Sequence, residues 1–251
     1  MRLSTAMVLA MLGKLGMKSA IDNGIISIYS GTIPATPDAI PNGTKLVDIT
    51  LASGARTQEV NSTGTVTVTG GSGSITAVTV GGIDILGGTV PFNASTTQSA
   101  ADTATQINRN PKNRSYSATA VGNVITLTAF SGQGTLPNTL AVSSTGTLTC
   151  TYANMAGGVN AANGLQWSAP AALALTKPAT DTWSGIGANT GTAGWFRICA
   201  PNDAGTAADP TMCRIDGTIS TSGADMNLPS LSVVASSPFS IPSGAINLAQ
   251  Q

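Results

Sequence analysis

Gly194-Trp195-Phe196-Arg197-Ile198-Cys199 and, after a polar loop, Cys213-Arg214-Ile215-Asp216-Gly217-Thr218-Ile219 decide the reading of this chain. Apolar and polar residues alternate along both runs. Small-residue turns follow, through Ser222-Gly223-Ala224-Asp225-Met226-Asn227-Leu228 to Phe239-Ser240-Ile241. Successive side chains of a strand point to opposite faces, so this pattern predicts antiparallel strands with one face buried. Trp195 and Arg197 share one face of the first run, and Phe196 and Ile198 share the other. Trp195 is expected to pack in the core.

Upstream, residues 25–31 (Ile-Ile-Ser-Ile-Tyr-Ser-Gly) and 45–51 (Lys-Leu-Val-Asp-Ile-Thr-Leu) alternate in the same way. The loop between them is marked by Pro34, Pro37 and Pro41. Before them, Leu3, Met7, Val8, Met11, Leu12 and Leu15 recur at helical spacing, which predicts a helix over residues 3–21. Ser4 or Thr5 can cap its start and Gly24 can end it, while Gly13 and Gly16 weaken it. Its start imitates a secretory signal, but Lys14 and Lys18 stand where a cleavage region is uncharged. No run reaches the ~18 apolar residues of a membrane span.

From residue 57 to 160 the texture changes to Thr- and Val-rich strands. Gly81-Gly82 and Gly122-Asn123 each sit between alternating runs, a two-residue hairpin signal. Asn93 or Ser95 can cap a helix over residues 96–109, with Ala100, Ala104 and Ile107 facing inward. The order is strands, one helix, strands, which predicts a compact α+β module. The small-residue stretches 52–55 and 160–164 flank it. The expected fold class is mainly β: an antiparallel β-sandwich with an N-terminal helix, formed by residues 1–55 and 163–251, plus the inserted α+β module 57–160.

The chain has 251 residues, of which 41 % are hydrophobic and only 9 % charged, with mean hydropathy +0.20. An ordinary soluble domain carries roughly 25 % charged residues. Gly, Ser, Thr, Ala and Asn fill the surface instead, and a surface with few charges is easily desolvated on contact. Lys plus Arg and Asp plus Glu both number 11. A duplex-binding protein needs a basic surplus, so nucleic acid is not expected as the main partner. Histidine is absent, which removes the commonest general base and transition-metal ligand.

No catalytic set, cofactor site or metal site is expected. Glu59 is the sole glutamate and no carboxylate pair announces itself for glycoside hydrolysis. The glycine-rich residues 69–74 lack the lysine of a phosphate loop and read as a hairpin turn. Asp203 and Asp209 lie in a loop without EF-hand spacing, read as a solvated hairpin connection. The three cysteines, Cys150, Cys199 and Cys213, fit no disulfide framework, although Cys199 and Cys213 could face each other across a hairpin. Trp167, Trp183 and Trp195 are read as core residues rather than as a sugar-stacking platform. Two features remain as a candidate subunit interface: the helix residues Leu3, Met7, Met11 and Leu15, and the basic cluster Arg109, Lys112 and Arg114. The cluster also offsets the dipole of the helix it ends.

Residues 25–34 and 46–53, with Gly191-Thr192-Ala193-Gly194-Trp195-Phe196-Arg197 and Thr221-Ser222-Gly223-Ala224-Asp225-Met226-Asn227-Leu228, resemble a group of tailed-bacteriophage virion proteins of poorly assigned role. The resemblance covers about the first 53 and last 90 residues. Shorter members of that group lack the middle, which itself resembles small modules of phage tail and fibre proteins. The resemblance implies a structural virion component, a head decoration, collar or tail protein, assembled in the host cytoplasm. Its implied partners are copies of itself and other virion proteins, and it brings no catalytic residues. The alternative reading is a receptor-binding adhesin that holds a host glycan through the module.

Overall fold

The structure, a computed structural model, describes residues 1–13, 15–171 and 173–247. Lys14 in the expected helix, Ala172 and the chain end from Leu248 lie outside the described residues. The fold is mainly β, built of antiparallel sheets with short helices at the N-terminus. The chain divides into two compact units, residues 1–59 with 161–251, and residues 60–160.

The first unit begins with β1 (Arg2–Leu3), α1 (Thr5–Leu12), α2 (Met17–Ile21), β2 (Ile25–Tyr29) and β3 (Lys45–Ile49). The expected single helix is therefore three elements. Leu3 is in a strand, and the helix breaks between Gly13 and Gly16. Glycine is the weakest ordinary helix former, costing about 1 kcal/mol relative to Ala, and two of them in four residues end α1 early. Ser4 caps α1: its Oγ accepts a hydrogen bond from the Met7 N–H at 3.1 Å. Gly24 does not end α2, which stops at Ile21. It lies instead where a Cβ would sit 2.0 Å from the Cys199 carbonyl oxygen, so only glycine lets the chain enter β2 there.

The second unit contains β4 (Thr63–Val68), β5 (Ser74–Val80), β6 (Ile83–Asp84), β7 (Val90–Pro91), α3 (Thr96–Arg109), β8 (Tyr116–Val121), β9 (Val124–Ala129), β10 (Val142–Gly146) and β11 (Cys150–Ala156). One sheet runs β11-β4-β9-β8; the other runs β10-β5-β6, with β7 also on β5. The glycine-rich residues 69–74 thus connect two sheets rather than turning a hairpin. Gly81 and Gly82, at φ +58° and +81°, do turn one between β5 and β6. Ser95 caps α3, and Ala100, Ala104 and Ile107 are buried in a core with Val66, Ile75, Ile125 and Leu127.

The chain then returns to the first unit with β12 (Ala174–Thr176), β13 (Trp183–Ile186), β14 (Gly191–Thr192), β15 (Trp195–Cys199), β16 (Arg214–Ser220), β17 (Met226–Asn227), β18 (Ser232–Val233), β19 (Pro238–Ile241) and β20 (Ala245–Asn247). The main sheet has the order β1-β16-β15-β2-β3, with β17 on the end of β16. Its neighbours pair Phe196 with Ile28 and Gly217, and Ile198 with Ile26 and Ile215. Those residues face an apolar core completed by three two-stranded ribbons, β12/β20, β13/β19 and β14/β18. The arrangement is sandwich-like, with ribbons in place of a second full sheet.

One expectation fails here. Every residue of β2 and β15 is buried, so the sheet is covered on both faces rather than one. The second cover is made of loops, residues 30–44 and 200–213, and the polar residues of the sheet hold it.

Candidate functional site

The loop-covered face of the main sheet carries the polar half of the alternating strands. At its centre Arg197 of β15 meets Asp216 of β16 in register. Arg197 Nε and Nη2 donate to the two Asp216 oxygens at 2.8 and 2.7 Å, and both side chains are 0 % exposed. One pair along, Arg214 donates to both oxygens of Asp203 at 2.6 and 3.0 Å. Two planar forks on two carboxylates are the strongest geometry these residue types offer.

The remaining guanidinium donors reach loop carbonyls. Arg197 Nη1 donates to Ala39 and Gly205, and Arg214 Nη1 to Pro37 and Ala207. Trp195 Nε1 donates to Asn42 at 3.2 Å, and Arg2 to Pro34. The prolines explain the match. A Pro-rich loop offers carbonyls but few N–H groups, so it needs donors from elsewhere, and arginine supplies five without accepting any. Arg56 completes the layer, donating to Pro201 at 2.8 Å and Asp203 O at 2.7 Å. Trp195 stacks on Tyr29 with ring centres 4.4 Å apart, and the Arg197 guanidinium lies 5.5 Å from the Trp195 ring.

Burial sets the electrostatics. It pushes the Tyr29 hydroxyl up to about 12, with Cys199 and Asp48 adding to the rise. It raises the fully buried Cys199 thiol and lifts Cys213 to about 11, with Asp203 contributing to both. A raised pKa leaves less of the thiolate, the reactive form, at neutral pH. Burial lowers Arg56. Burial also works against the Arg214 charge, but the hydrogen bonds and charge of Asp203 outweigh it, and Arg214 ends raised. The layer is closed and each guanidinium in it is hydrogen-bonded, Arg56 to carbonyls alone; its chemistry is that of a clamp on two loops.

Sequence reasoning placed Asp203 in a solvated loop, whereas it is 5 % exposed and engaged by Arg214 and by the Gly205 N–H. Asp209 takes the Thr211 N–H and hydroxyl, and the hydroxyl's hydrogen bond, then the N–H's, hold its pKa down. The missed signal was parity: Arg197, Arg214 and Asp216 occupy one face of neighbouring strands in a chain with almost no charge to spend. Trp195 is buried as expected, but on the face opposite the apolar core. Trp167 and Trp183 meet edge to face within that core at 4.7 Å. The three indoles form no shared platform. Cys150, Cys199 and Cys213 are free thiols, so the cross-hairpin bridge is not made.

The candidate interface residues separate. Met7 is fully buried, and Leu3 and Leu15 pack against the core. Met11 is 38 % exposed, and the outer face of α1 adds Leu9 at 63 % and Leu12 at 80 %. Beside it lies an apolar groove of about 540 Å³, lined by Met11, Met17, Pro170, Leu173 and Leu175. In the other unit, Arg109 in the last turn of α3 and Lys112 and Arg114 just beyond it are exposed and make no ion pair among the described residues. Of the candidate interface residues, those left open are thus an apolar helix face on one unit and a small basic cluster on the other. Compared with known proteins, the chain matches no family model, no curated protein and no solved structure.

Proposed function

We propose that this protein is a non-enzymatic structural subunit of a tailed-phage particle that works by associating with its own copies and with other virion proteins. The observation that carries this reading is the outer face of α1. Leu9 and Leu12 stand open beside an apolar groove on a chain with only 9 % charged residues. Exposed apolar patches of this kind mark interaction surfaces, and closed symmetric assembly is the common way to cover them. The likeness of residues 25–34, 191–197 and 221–228 to phage virion proteins supports the setting.

The test is the mass of the full chain in solution, by light scattering after size exclusion, across about 1–100 µM. An oligomer that dissociates in the Leu9→Lys/Leu12→Lys variant is expected. A monomer throughout that range, together with saturable binding to a glycan array, would replace this reading with the adhesin.

A further inference from the structure

Three Asn-Gly pairs occur in the chain: Asn23-Gly24, Asn42-Gly43 and Asn163-Gly164. Such a pair has a chemistry of its own. Glycine puts no side chain in the way, so its backbone nitrogen can attack the carboxamide carbon of the asparagine before it. The reaction needs a carboxamide free to turn, a glycine N–H not held in a hydrogen bond, and water.

The structure grants these conditions unequally. Gly24 is buried, and its N–H donates to the Ile21 carbonyl at 3.0 Å. The Asn163 carboxamide is tied at both ends. Its Oδ1 accepts from the Ala52 N–H at 3.1 Å, and its Nδ2 donates to Thr50 Oγ1 and to the Ser53 carbonyl, both at 3.2 Å. Gly164 beside it is buried. Asn42 and Gly43, by contrast, are both exposed in the loop between β2 and β3. Among the described residues, neither the Asn42 carboxamide nor the Gly43 N–H has a hydrogen-bond partner. The backbone around them is held. The Asn42 carbonyl accepts from Trp195 Nε1 at 3.2 Å, and Thr44 exchanges bonds with Ser30, through the Ser30 N–H at 2.9 Å and Ser30 Oγ at 3.0 Å. Gly43 sits at φ +79°, where a Cβ would lie 2.0 Å from the Ser30 carbonyl oxygen, so no other residue fits without moving the loop.

We infer that Asn42 is a self-modifying site that converts to isoaspartate in the folded protein. The Gly43 nitrogen gives up its proton and bonds to Asn42 Cγ. The Cγ–Nδ2 bond breaks, and ammonia leaves with that proton. Water then opens the five-membered succinimide. Opening at the former main-chain carbonyl leaves the chain running through Cγ and turns the oxygen that faces Trp195 into part of a free carboxylate. The product carries a new negative charge on a loop that covers the main sheet, in a chain whose formal charge is zero.

The test incubates the full chain at about pH 8 and 37 °C, folded and in urea, for the time that converts half of Asn42 in the unfolded sample. Tandem mass spectrometry locates each gain of about 1 Da, and methylation by an isoaspartyl methyltransferase marks the iso form. In urea all three pairs should react at rates within about threefold of one another. In the folded chain Asn42 should react at least tenfold faster than Asn23 and Asn163, giving isoaspartate and a more acidic species on ion exchange. Asn42→Gln, which would have to close a six-membered ring, should abolish that species. The inference fails if Asn42 stays intact in the folded chain, if the three pairs react equally there, or if only aspartate forms, which would mean hydrolysis that bypasses Gly43.

Discussion

Removing one member of the Arg197–Asp216 pair strands the other in a site closed to water. Breaking a buried pair in this way costs about 3–5 kcal/mol, whereas replacing both members with apolar residues of similar size is often neutral. Asp216→Asn should therefore lower the urea midpoint sharply, and the double variant Arg197→Met/Asp216→Leu should recover much of the loss. Equal midpoints for Asp216→Asn and the parent would mean that the clamp is idle. Alkaline titration reads burial around the same sheet independently. The Tyr29 pKa is raised from 10.0 to about 12 and that of Cys213 from 9.0 to about 11. Each group keeps its proton longer folded than unfolded. Their contribution to stability is thus complete below about pH 9 and is lost as pH climbs through 9 to 12. Chemical denaturation from pH 8 to 11.5 should show stability falling, and Tyr29→Phe should flatten the upper part of that slope.

At the level of elements, α1 has two faces with opposite duties. Met7 is fully buried and anchors the helix, so Met7→Ala should cost about 2–5 kcal/mol. Leu9 and Leu12 are open, so replacing both with lysine should change stability by under about 1 kcal/mol, as surface substitutions do. Thermal melting at one concentration separates the two outcomes; a large loss in the lysine variant would show that this face packs within its own chain. The helix is short because Gly13 and Gly16 bracket its end, and α2 carries Met17, Ala20 and Ile21 into the same core. An eight-residue helix is marginal alone. Its shape depends on the Ser4 cap and on the bond from Ser4 Oγ to the Met212 carbonyl at 2.9 Å.

For the molecule as a whole, the question is whether each unit holds its own core. The first closes on itself where Thr57 and Ala162 exchange backbone hydrogen bonds at 3.0 and 3.1 Å. The second closes where Val60 and Val159 exchange theirs at 3.1 and 2.9 Å. The ends of the second unit are therefore neighbours, and removing it leaves a gap that a short Gly/Ser linker spans at little entropic cost. Residues 1–59 joined by such a linker to 161–251 should melt cooperatively, and residues 60–160 alone should do the same. Two unfolded fragments in calorimetry would mean that the cores described for the two units depend on each other.

The sequence by itself determined the elements whose rules are local. Alternation placed β2, β3, β15 and β16; a cap at Asn93 or Ser95 opened α3, and Ser95 is the one that serves; Gly81-Gly82 turned a hairpin. Each depends only on residues a few positions apart, and their side-chain periods and backbone preferences act before any tertiary contact forms. The tertiary structure alone decided what covers the second face of the main sheet. Alternation reveals that Arg197, Arg214 and Asp216 share a face, but not that Asp203 and the carbonyls of Pro37 and Ala39 come to meet them. Those partners are 11 to 177 positions away. Their pairing follows from burial: a guanidinium shut away from water needs acceptors, and a proline-rich loop has acceptors to spare.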